Sequence, residues 1–271
     1  MIDMSDIPEE GFVSSGGFQI HYLRWRGEGP KLVLLHSFGM DAHSFDDFSK
    51  AVSGDFDVLA LDLLDLGDSE KPGRDVTLKE HAEVIRGAYS QLGFAPNVLV
   101  GHSIGGILGT VLAAEYPGDI EGLVLVDIGP MPKDRPRMSR PEPPESFADE
   151  EEVRSYLRGR YTIPGPEFRE NRLKYAFVKD EAGRYRFKYN GAAIRGHIEA
   201  DLWPYAERLS APTLLMLGGR DSIVPAETVE KMKNTIPGLK VVTVDGATHA
   251  IPQDRPEAFE EEVSAFVASL E

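Results

Sequence analysis

Residues 97–105 read Asn-Val-Leu-Val-Gly-His-Ser-Ile-Gly, an apolar run that ends in the pattern Gly-x-Ser-x-Gly. The apolar part predicts a buried strand, and the following residues 103–116 have a helical pattern that ends before Pro117. A turn of this kind lifts a serine above the sheet, and small residues two places before and after it leave room for the crossing. We therefore interpret Ser103 as a candidate nucleophile. The alternative is an ordinary strand–helix turn with a serine N-cap.

Other apolar runs alternate with helical patterns on both sides of this segment. The runs predicted as fully buried strands are residues 31–36, 57–62, 120–128, 213–218 and 241–244. Residues 18–26 alternate with period two and predict an antiparallel strand, while Thr77 and Glu80 form a capping box that opens a helix to about Leu92. This order predicts the α/β class, with a doubly wound, mainly parallel sheet.

The alternation of strands and helices stops after residue 129. Six prolines fall within residues 130–144, which marks a boundary. Two helix-like stretches follow at residues 146–160 and 166–176, and then a hairpin-like segment at 177–189. The sequence therefore predicts a core formed by residues 1–129 and 206–271, with a mostly helical insertion at 130–205.

Composition excludes several classes of protein. The chain has 271 residues, a net charge of −16 and no cysteine. The acidic balance argues against nucleic acid as a partner, and the lack of cysteine excludes disulfides and a thiol nucleophile. No apolar run is long enough to cross a bilayer, and the acidic start lacks the features of a secretory signal. We expect a cytoplasmic monomer or homodimer that acts on a small molecule and does not bind membranes.

A serine nucleophile needs a base, and the base needs an orienting carboxylate. His249 follows the predicted strand 241–244, and Asp221 follows the predicted strand 213–217. Both loops fall at the carboxyl edge of the sheet, where Ser103 also lies. We predict Ser103, Asp221 and His249 as the catalytic residues. Asp127, at the end of strand 120–128, reaches the same edge and is the alternative acid.

These motifs resemble the α/β-hydrolase fold family over nearly the whole chain. The run Leu-Leu-His-Ser-Phe-Gly at residues 34–39 is similar to the His-Gly loop of that family. The resemblance implies that the backbone N–H groups of Phe38 and Ile104 form an oxyanion hole, and that His36 is structural. It also implies that the insertion is a lid over the nucleophile, and that no metal or cofactor is needed.

The sequence departs from the family pattern at two positions. Ser37 stands where the family usually has glycine, and Asp65 replaces the first glycine of a turn that usually reads Asp-x-x-Gly-x-Gly-x-Ser. Both changes fall on the expected oxyanion side of the pocket. We predict Ser37, His102 and Trp203 as pocket residues, although local packing is the alternative for His102 and for Trp203.

The resemblance implies hydrolysis of small carboxylic esters through an acyl-enzyme. The same residues also serve carbon–carbon bond hydrolysis, lactone opening and perhydrolysis, and a ligand-binding or signalling protein with weak catalysis is an alternative from another class. Haloalkane and epoxide hydrolases of this fold would carry Asp in place of Ser103. Three arginines of the insertion would suit an anionic substrate or be solvated helix faces: Arg154, Arg158 and Arg172.

Overall fold

The computed structural model describes residues 7–131, 143–189 and 191–270. Within these ranges, the strands are β1 (Glu9–Ser15), β2 (Phe18–Trp25), β3 (Lys31–Leu35), β4 (Asp57–Leu61), β5 (Asn97–His102), β6 (Ile120–Val126), β7 (Phe177–Lys179), β8 (Tyr185–Phe187), β9 (Thr213–Gly218) and β10 (Lys240–Val244). The α-helices are α1 (Asp46–Val52), α2 (Leu78–Gln91), α3 (Ile104–Glu115), α4 (Glu150–Arg160), α5 (Pro166–Tyr175), α6 (Trp203–Ala206), α7 (Ala226–Thr235), α8 (Ile251–Asp254) and α9 (Pro256–Ala268). Two 3₁₀ segments lie at Ala42–Phe45 and Ala192–Glu199.

The main sheet has eight strands in the order β1-β2-β4-β3-β5-β6-β9-β10. The pairs β1–β2 and β2–β4 are antiparallel, and the remaining pairs are parallel. The predicted α/β class with a mainly parallel sheet is therefore confirmed. The strand β5, which ends at the predicted elbow, lies between β3 and β6, near the middle of the sheet.

Helices cover both faces of the sheet, and this explains why its strands are continuous apolar runs. Along β3, Val33 and Leu35 belong to one core with α2, α3 and α7, whereas Leu32 and Leu34 belong to the other core with α1 and α9. All four side chains are fully buried. Because neighbouring residues of a strand point to opposite faces, a strand buried on both sides needs apolar residues at every position.

The predicted helix cap at Thr77 is present at the start of α2. The Thr77 hydroxyl accepts a hydrogen bond of 3.1 Å from the Glu80 N–H.

Among the described helices, none combines the length and the apolar character that crossing a bilayer requires.

Between β6 and β9 the chain forms a layer with a small apolar core of its own. The predicted helices appear as α4 and α5, and the predicted hairpin as β7 and β8, with the turn bond from Gly183 N–H to the Asp180 carbonyl. The buried residues of this small core are Phe147, Val153, Leu157, Ala176 and Phe177. We call this layer the lid. Its extent, residues 130–205, stays a prediction, and part of it (132–142 and 190) lies outside the described residues.

Candidate active site

Ser103 occupies the turn between β5 and α3 in a backbone conformation that residues with side chains rarely adopt. Its φ is 55° and its ψ is −116°. The Ser103 N–H donates to the Val126 carbonyl at 3.2 Å, and the Ser103 carbonyl accepts from the N–H groups of Gly106 and Ile107. These bonds fix the turn from the neighbouring strand and from the helix that follows.

The glycines of the elbow are required by close backbone approach. A Cβ at position 105 would lie 2.1 Å from the Leu35 carbonyl oxygen, and one at position 101 would lie 2.5 Å from the Gly106 Cα. Neither neighbour can move independently, because both are main-chain atoms of the central layers. The pattern Gly-x-Ser-x-Gly thus follows from the steric needs of the crossing.

His249 lies in the loop between β10 and α8, and its ring is bound to a buried carboxylate. Its Nδ1 is 2.8 Å from Oδ2 of Asp127, the residue that directly follows β6. The Asp127 side chain is completely buried, whereas the His249 side chain is 14% exposed. With Nδ1 engaged by the carboxylate, Nε2 is the ring nitrogen left to exchange a proton with a hydroxyl group.

Three further donors surround the Asp127 carboxylate. Oδ1 accepts from Gly218 N–H at 3.1 Å and from the Ser222 hydroxyl at 2.5 Å, and Oδ2 accepts from Ile223 N–H at 3.0 Å. Burial by itself would raise the pKa of Asp127, but the hydrogen bonds from His249, Ile223 and Ser222 hold that pKa below its ordinary value. The carboxylate is therefore charged at neutral pH and suited to orient His249.

The prediction that Asp221 holds His249 is wrong in this structure, and the alternative acid, Asp127, takes its place. Asp221 is exposed to solvent. The reason lies in the loop after β9, where Gly219 and Arg220 donate backbone hydrogen bonds to Val244 and Ala247. These bonds turn the next residues so that Ser222, not Asp221, faces the carboxylate of Asp127.

His102 precedes Ser103 and connects the elbow to the loop of His249. Its Nε2 donates to the His249 carbonyl oxygen at 2.8 Å, and the two rings are 5.0 Å apart. Burial, together with the neighbouring His249, lowers the pKa of His102 to about 3, so the ring is neutral. His102 is 2% exposed. It therefore joins the elbow to the His249 loop, and its assignment to the pocket stays a prediction.

Phe38 and Ile104, the predicted oxyanion donors, follow the ends of β3 and β5, which are parallel neighbours in the sheet. Ile104 is the first residue of α3, so its N–H has no acceptor within the helix. Phe38 is the second residue of a turn closed by Met40 N–H on the Ser37 carbonyl at 3.0 Å, in which Gly39 has a φ of 79°. Within the described residues, neither the Phe38 nor the Ile104 N–H donates a hydrogen bond. The oxyanion hole that these two N–H groups would form stays a prediction.

His36 fixes the start of the Phe38 turn and has a structural role. Its Nδ1 donates to the Ser37 carbonyl at 2.9 Å, and its Nε2 accepts from Leu63 N–H at 3.1 Å. Burial lowers the pKa of His36, which agrees with a ring that must stay neutral to accept a bond. Ser37 itself is 7% exposed, so this departure from the family glycine contributes little surface to a pocket.

Asp65, the second departure, connects the core to the lid. It has a φ of 63° and is 3% exposed. Its carboxylate accepts from Ala193 N–H at 2.9 Å, and its carbonyl accepts from Gly191 N–H at 3.3 Å. The side chain that replaces glycine here thus binds the first turn of the Ala192–Glu199 segment.

The three lid arginines each have a carboxylate partner. Arg154 contacts Glu150 at 2.8 Å and also Glu170, and Arg158 contacts Glu151 at 2.6 Å. Arg172 is buried and lies 2.6 Å from Asp41. These pairs favour a structural role for the three guanidinium groups over binding of an anionic substrate.

Trp203 begins α6, where the lid rejoins the core. The side chain is half-buried, packs against the main apolar core, and lies under the Lys231 ammonium at 3.7 Å from the ring centroid. Its described contacts are those of a packing residue, so its assignment to the pocket stays a prediction.

Within the described ranges, one group has the composition of a metal site: His21, Asp62 and Asp68, whose ligand atoms lie within 4.8 Å of one another. These side chains already have partners. His21 Nδ1 is 2.8 Å from Asp62, and Asp68 binds Lys188. The group is best explained as a hydrogen-bonded network, with His21 and Asp62 buried and Asp68 exposed, that fixes the loop after β4.

Two contacts near the elbow differ from the sequence prediction. Asp127 was recognised as a candidate but ranked second, since the sequence does not show that β6 and β9 are neighbours. The contact of Arg172 with the Phe38 loop was missed entirely, because it joins residues 131 positions apart.

Comparisons with known proteins agree with this geometry. The model of a family described as alpha/beta hydrolase fold matches residues 30–256. The 2-(acetamidomethylene)succinate hydrolase of Mesorhizobium japonicum is 27% identical, with 98% of this chain and 99% of the relative covered. The sn-1-specific diacylglycerol lipase ABHD11 of Mus musculus is 28% identical, with 88% and 81% covered. A crystal structure of E-2-(acetamidomethylene)succinate hydrolase superposes with a TM-score of 0.84 at 24% identity, covering 96% of this chain and 99% of that one.

Proposed function

Because this chain belongs to the α/β hydrolase fold family, we propose that it is a serine hydrolase that cleaves small carboxylic esters through an acyl-enzyme on Ser103. One observation carries the proposal. A buried, charged Asp127 binds His249 Nδ1 at 2.8 Å, and the same His249 loop is bound by His102, the neighbour of Ser103. The proposed base and acid are thus hydrogen-bonded to each other, and the proposed nucleophile is joined to the loop of the base through its neighbour His102.

In the acylation step, His249 Nε2 takes the hydroxyl proton of Ser103 while Oγ forms a bond to the ester carbonyl carbon. The carbonyl oxygen becomes an oxyanion, which the N–H groups of Phe38 and Ile104 stabilise. Collapse of this intermediate breaks the bond to the alcohol oxygen, and His249 returns its proton to that oxygen. Asp127 stabilises the imidazolium that exists between the two transfers.

In the deacylation step, His249 takes a proton from water as the water oxygen attacks the acyl carbon of the ester on Ser103. A second oxyanion forms at the same two N–H groups. When the bond to Oγ breaks, His249 returns the proton to Ser103 and the carboxylic acid leaves. The cycle needs no redox change and restores every residue to its starting state.

The test is hydrolysis of a series of p-nitrophenyl esters of increasing acyl length. We expect Ser103→Ala to lower kcat by at least about 10³-fold, because the nucleophile is lost. The matched control is Ser210→Ala, since Ser210 is exposed and distant in the chain from the elbow. A wild type without turnover, or a Ser103→Ala variant that retains it, would contradict the proposal.

A second candidate is hydrolysis of a small substrate that carries a carboxylate. It is favoured by the relative from Mesorhizobium japonicum, whose name specifies a substituted succinate and whose length matches nearly completely. Carbon–carbon bond cleavage and lactone opening remain within this candidate, since the same groups serve them. The two candidates are separated by comparing hydrolysis rates on neutral p-nitrophenyl esters with rates on carboxylate-bearing lactones and dienoates. The first candidate predicts faster hydrolysis of the neutral esters, and the second predicts faster hydrolysis of the carboxylate-bearing substrates.

A ligand-binding protein of the same fold would keep the elbow without an activated nucleophile. A fluorophosphonate probe distinguishes this possibility, because it reacts with a serine only when a base removes the hydroxyl proton. We expect labelling of wild type, and no labelling of Ser103→Ala. Absence of labelling in the wild type would favour the binding protein.

A further inference from the structure

Arg172 of α5 reaches from the lid into the loop that carries Phe38. The residue is 1% exposed although its guanidinium is charged. One terminal nitrogen donates to Asp41 Oδ2 at 2.6 Å, and the other donates to the Gly39 carbonyl oxygen at 2.7 Å. Since Gly39 follows Phe38 directly, the lid is bonded to the main chain one residue from a predicted oxyanion donor.

The two ends of the Phe38 turn are held in different ways. At its start, the Ser37 carbonyl accepts from the Met40 N–H, which closes the turn, and from the buried His36 ring. At its end, Gly39 has a φ of 79° and no Cβ to limit its rotation. Among the described residues, Arg172 alone donates to the Gly39 carbonyl. The Gly39 carbonyl and the Met40 N–H belong to one planar peptide unit, so Arg172 of the lid holds the group that closes the turn on the Ser37 carbonyl.

Other side chains of the lid pack around the same loop and keep Arg172 in place. Asn171 donates to Asp46 at 2.9 Å, and the Tyr175 ring stacks on His43 at 3.4 Å between centroids. Tyr189 contacts the Phe38 ring edge-on at 6.2 Å. Helix α5 thus docks on residues 38–46 along one face, with Arg172 at the centre of the contact.

Stability alone is a poor explanation for this buried ion pair. Removing two charges from water is costly, and an apolar pair of similar volume is often as stable. The Arg172 Nε and the Asp41 Oδ1 are also buried without a hydrogen-bonding partner in the described residues. What the planar guanidinium does provide is a fixed geometry, since it binds two acceptors in a single orientation.

We propose that Arg172 is a positioning residue that orients the Phe38 N–H for the transition state by holding the Gly39 carbonyl and Asp41. This inference rests on the proposed hydrolase function. It assigns to the lid a part in oxyanion stabilisation, so that the hole is complete only when α5 is docked. Misplacement of an oxyanion donor has a larger effect on kcat than on substrate binding, because the oxyanion forms only in the transition state.

The experiment compares four proteins: the wild type, Arg172→Met, Arg172→Lys and Lys174→Gln. The last removes an exposed cation from the same helix and is the matched control. We expect Arg172→Met to lower kcat on a p-nitrophenyl ester by about 10- to 100-fold with KM changed less than about 3-fold. Arg172→Lys, which keeps the charge but cannot bind both acceptors, should fall between this variant and the wild type.

A second readout separates positioning from a general loss of structure. Phenylboronic acid forms a tetrahedral adduct with a catalytic serine, whereas benzyl alcohol binds without one. We expect Arg172→Met to weaken inhibition by the boronic acid by about the factor lost in kcat, and to leave inhibition by benzyl alcohol unchanged. Where Arg172→Met does not fold, Arg172→Lys provides the same comparison.

One result would contradict the proposed hydrolase function, and another would contradict the positioning role of Arg172. If the wild type neither hydrolyses esters nor reacts with a fluorophosphonate, the proposed function is wrong. If the wild type is active and the Arg172 variants match Lys174→Gln in kcat, or lose boronic acid and benzyl alcohol affinity equally, the positioning role is wrong and the hydrolase function stands.

Discussion

Asp127 Oδ2 lies 2.8 Å from Nδ1 of His249, although 122 positions separate these residues in the chain. The contact joins the ends of two strands that are not neighbours, since β9 lies between β6 and β10. The contact crosses the end of β9. The loop after β9 folds around the Asp127 carboxylate and donates hydrogen bonds to it from Ser222 and Ile223.

From this contact we predict that Asp127→Asn lowers kcat by about 10²- to 10⁴-fold, since an amide leaves His249 in the wrong tautomer and does not stabilise the imidazolium. KM should change little, because the carboxylate does not touch substrate in the proposed mechanism. The measurement is steady-state hydrolysis of a p-nitrophenyl ester by purified variants of verified folding.

Asp221→Asn provides the control for this prediction. It makes the same chemical change at the exposed carboxylate that the sequence had favoured. We expect kcat within about 2-fold of wild type, as for most surface substitutions. A reversed outcome, with Asp221→Asn inactive and Asp127→Asn active, would restore the original assignment and refute the one made from geometry.

The fold was readable from the sequence because a parallel sheet buried on both faces leaves a strong pattern. Runs such as Leu32 to Leu35 are apolar at every position, and the elbow glycines flank Ser103 for steric reasons that any sequence with this turn must satisfy. The candidate base, His249, could also be placed from the strand that precedes it. These features depend on local pattern and on chain order.

The partner of His249 and the contacts between the lid and the core depend on long-range geometry that a single sequence does not contain. The choice between Asp127 and Asp221 needed the direction in which the β9 loop turns, which backbone bonds to Val244 and Ala247 determine. Arg172 resembled a solvated helix residue, and its burial depends on Asp41. Asp65 was recognised as unusual, but its partner Ala193 lies 128 positions away.

Gly105 allows a second prediction, on stability. Alanine here would place its Cβ 2.1 Å from the Leu35 carbonyl oxygen, so β3 and α3 would have to separate. We expect Gly105→Ala to lower the free energy of unfolding by about 3 kcal/mol or to abolish soluble expression. Urea denaturation followed by circular dichroism measures the difference.

Gly159→Ala is the matched control, because this glycine lies in α4 and its Cβ would meet nothing within 4 Å. Since glycine is a poor helix former, the alanine should be neutral or stabilise by up to about 1 kcal/mol. Equal losses for the two alanine variants would show that the backbone contact with Leu35 does not explain the need for glycine at the elbow.

Asp65 allows a third prediction, on the attachment of the lid. Asp65→Ala keeps the positive φ but removes the acceptor for Ala193 N–H, and we expect a loss of about 2 kcal/mol in the free energy of unfolding. Asp65→Asn retains an acceptor and tolerates the left-handed conformation, so it should cost less than about 1 kcal/mol.

Asp65→Gly separates the two contributions, because glycine relieves the backbone but leaves the Ala193 N–H unpaired. It should lie between the alanine and asparagine variants, as measured by urea denaturation. An alanine variant as stable as the asparagine variant would mean that the contact between Asp65 and Ala193 contributes nothing.

His197 allows a fourth prediction, on the response of stability to acid. The residue lies in the Ala192–Glu199 segment, is 4% exposed, and its ring is 5.3 Å from that of His81 on α2. Burial lowers the pKa of His197 from 6.5 to about 4, and burial also lowers the pKa of His81. Below pH 6.5 the unfolded chain therefore binds a proton that the folded protein does not.

The sign follows from that difference in proton binding. When the unfolded state binds more protons, the free energy of unfolding falls as the pH falls, by about 1.4 kcal/mol per pH unit for one proton. The loss due to His197 begins near pH 6.5 and is complete near pH 4. His21, whose pKa is raised, acts in the opposite direction, since its contribution is present at low pH and is lost as the pH rises through its folded pKa.

We therefore expect His197→Gln to flatten the pH dependence. Between pH 6 and pH 4.5, the variant should lose about 1–2 kcal/mol less than the wild type, whatever its stability at pH 7. Urea denaturation at four pH values measures this slope. Ile198→Gln, at an exposed neighbour without a titrating group, should keep the wild-type slope. Parallel slopes for wild type and His197→Gln would mean that the ring binds its proton equally well in the folded and unfolded states.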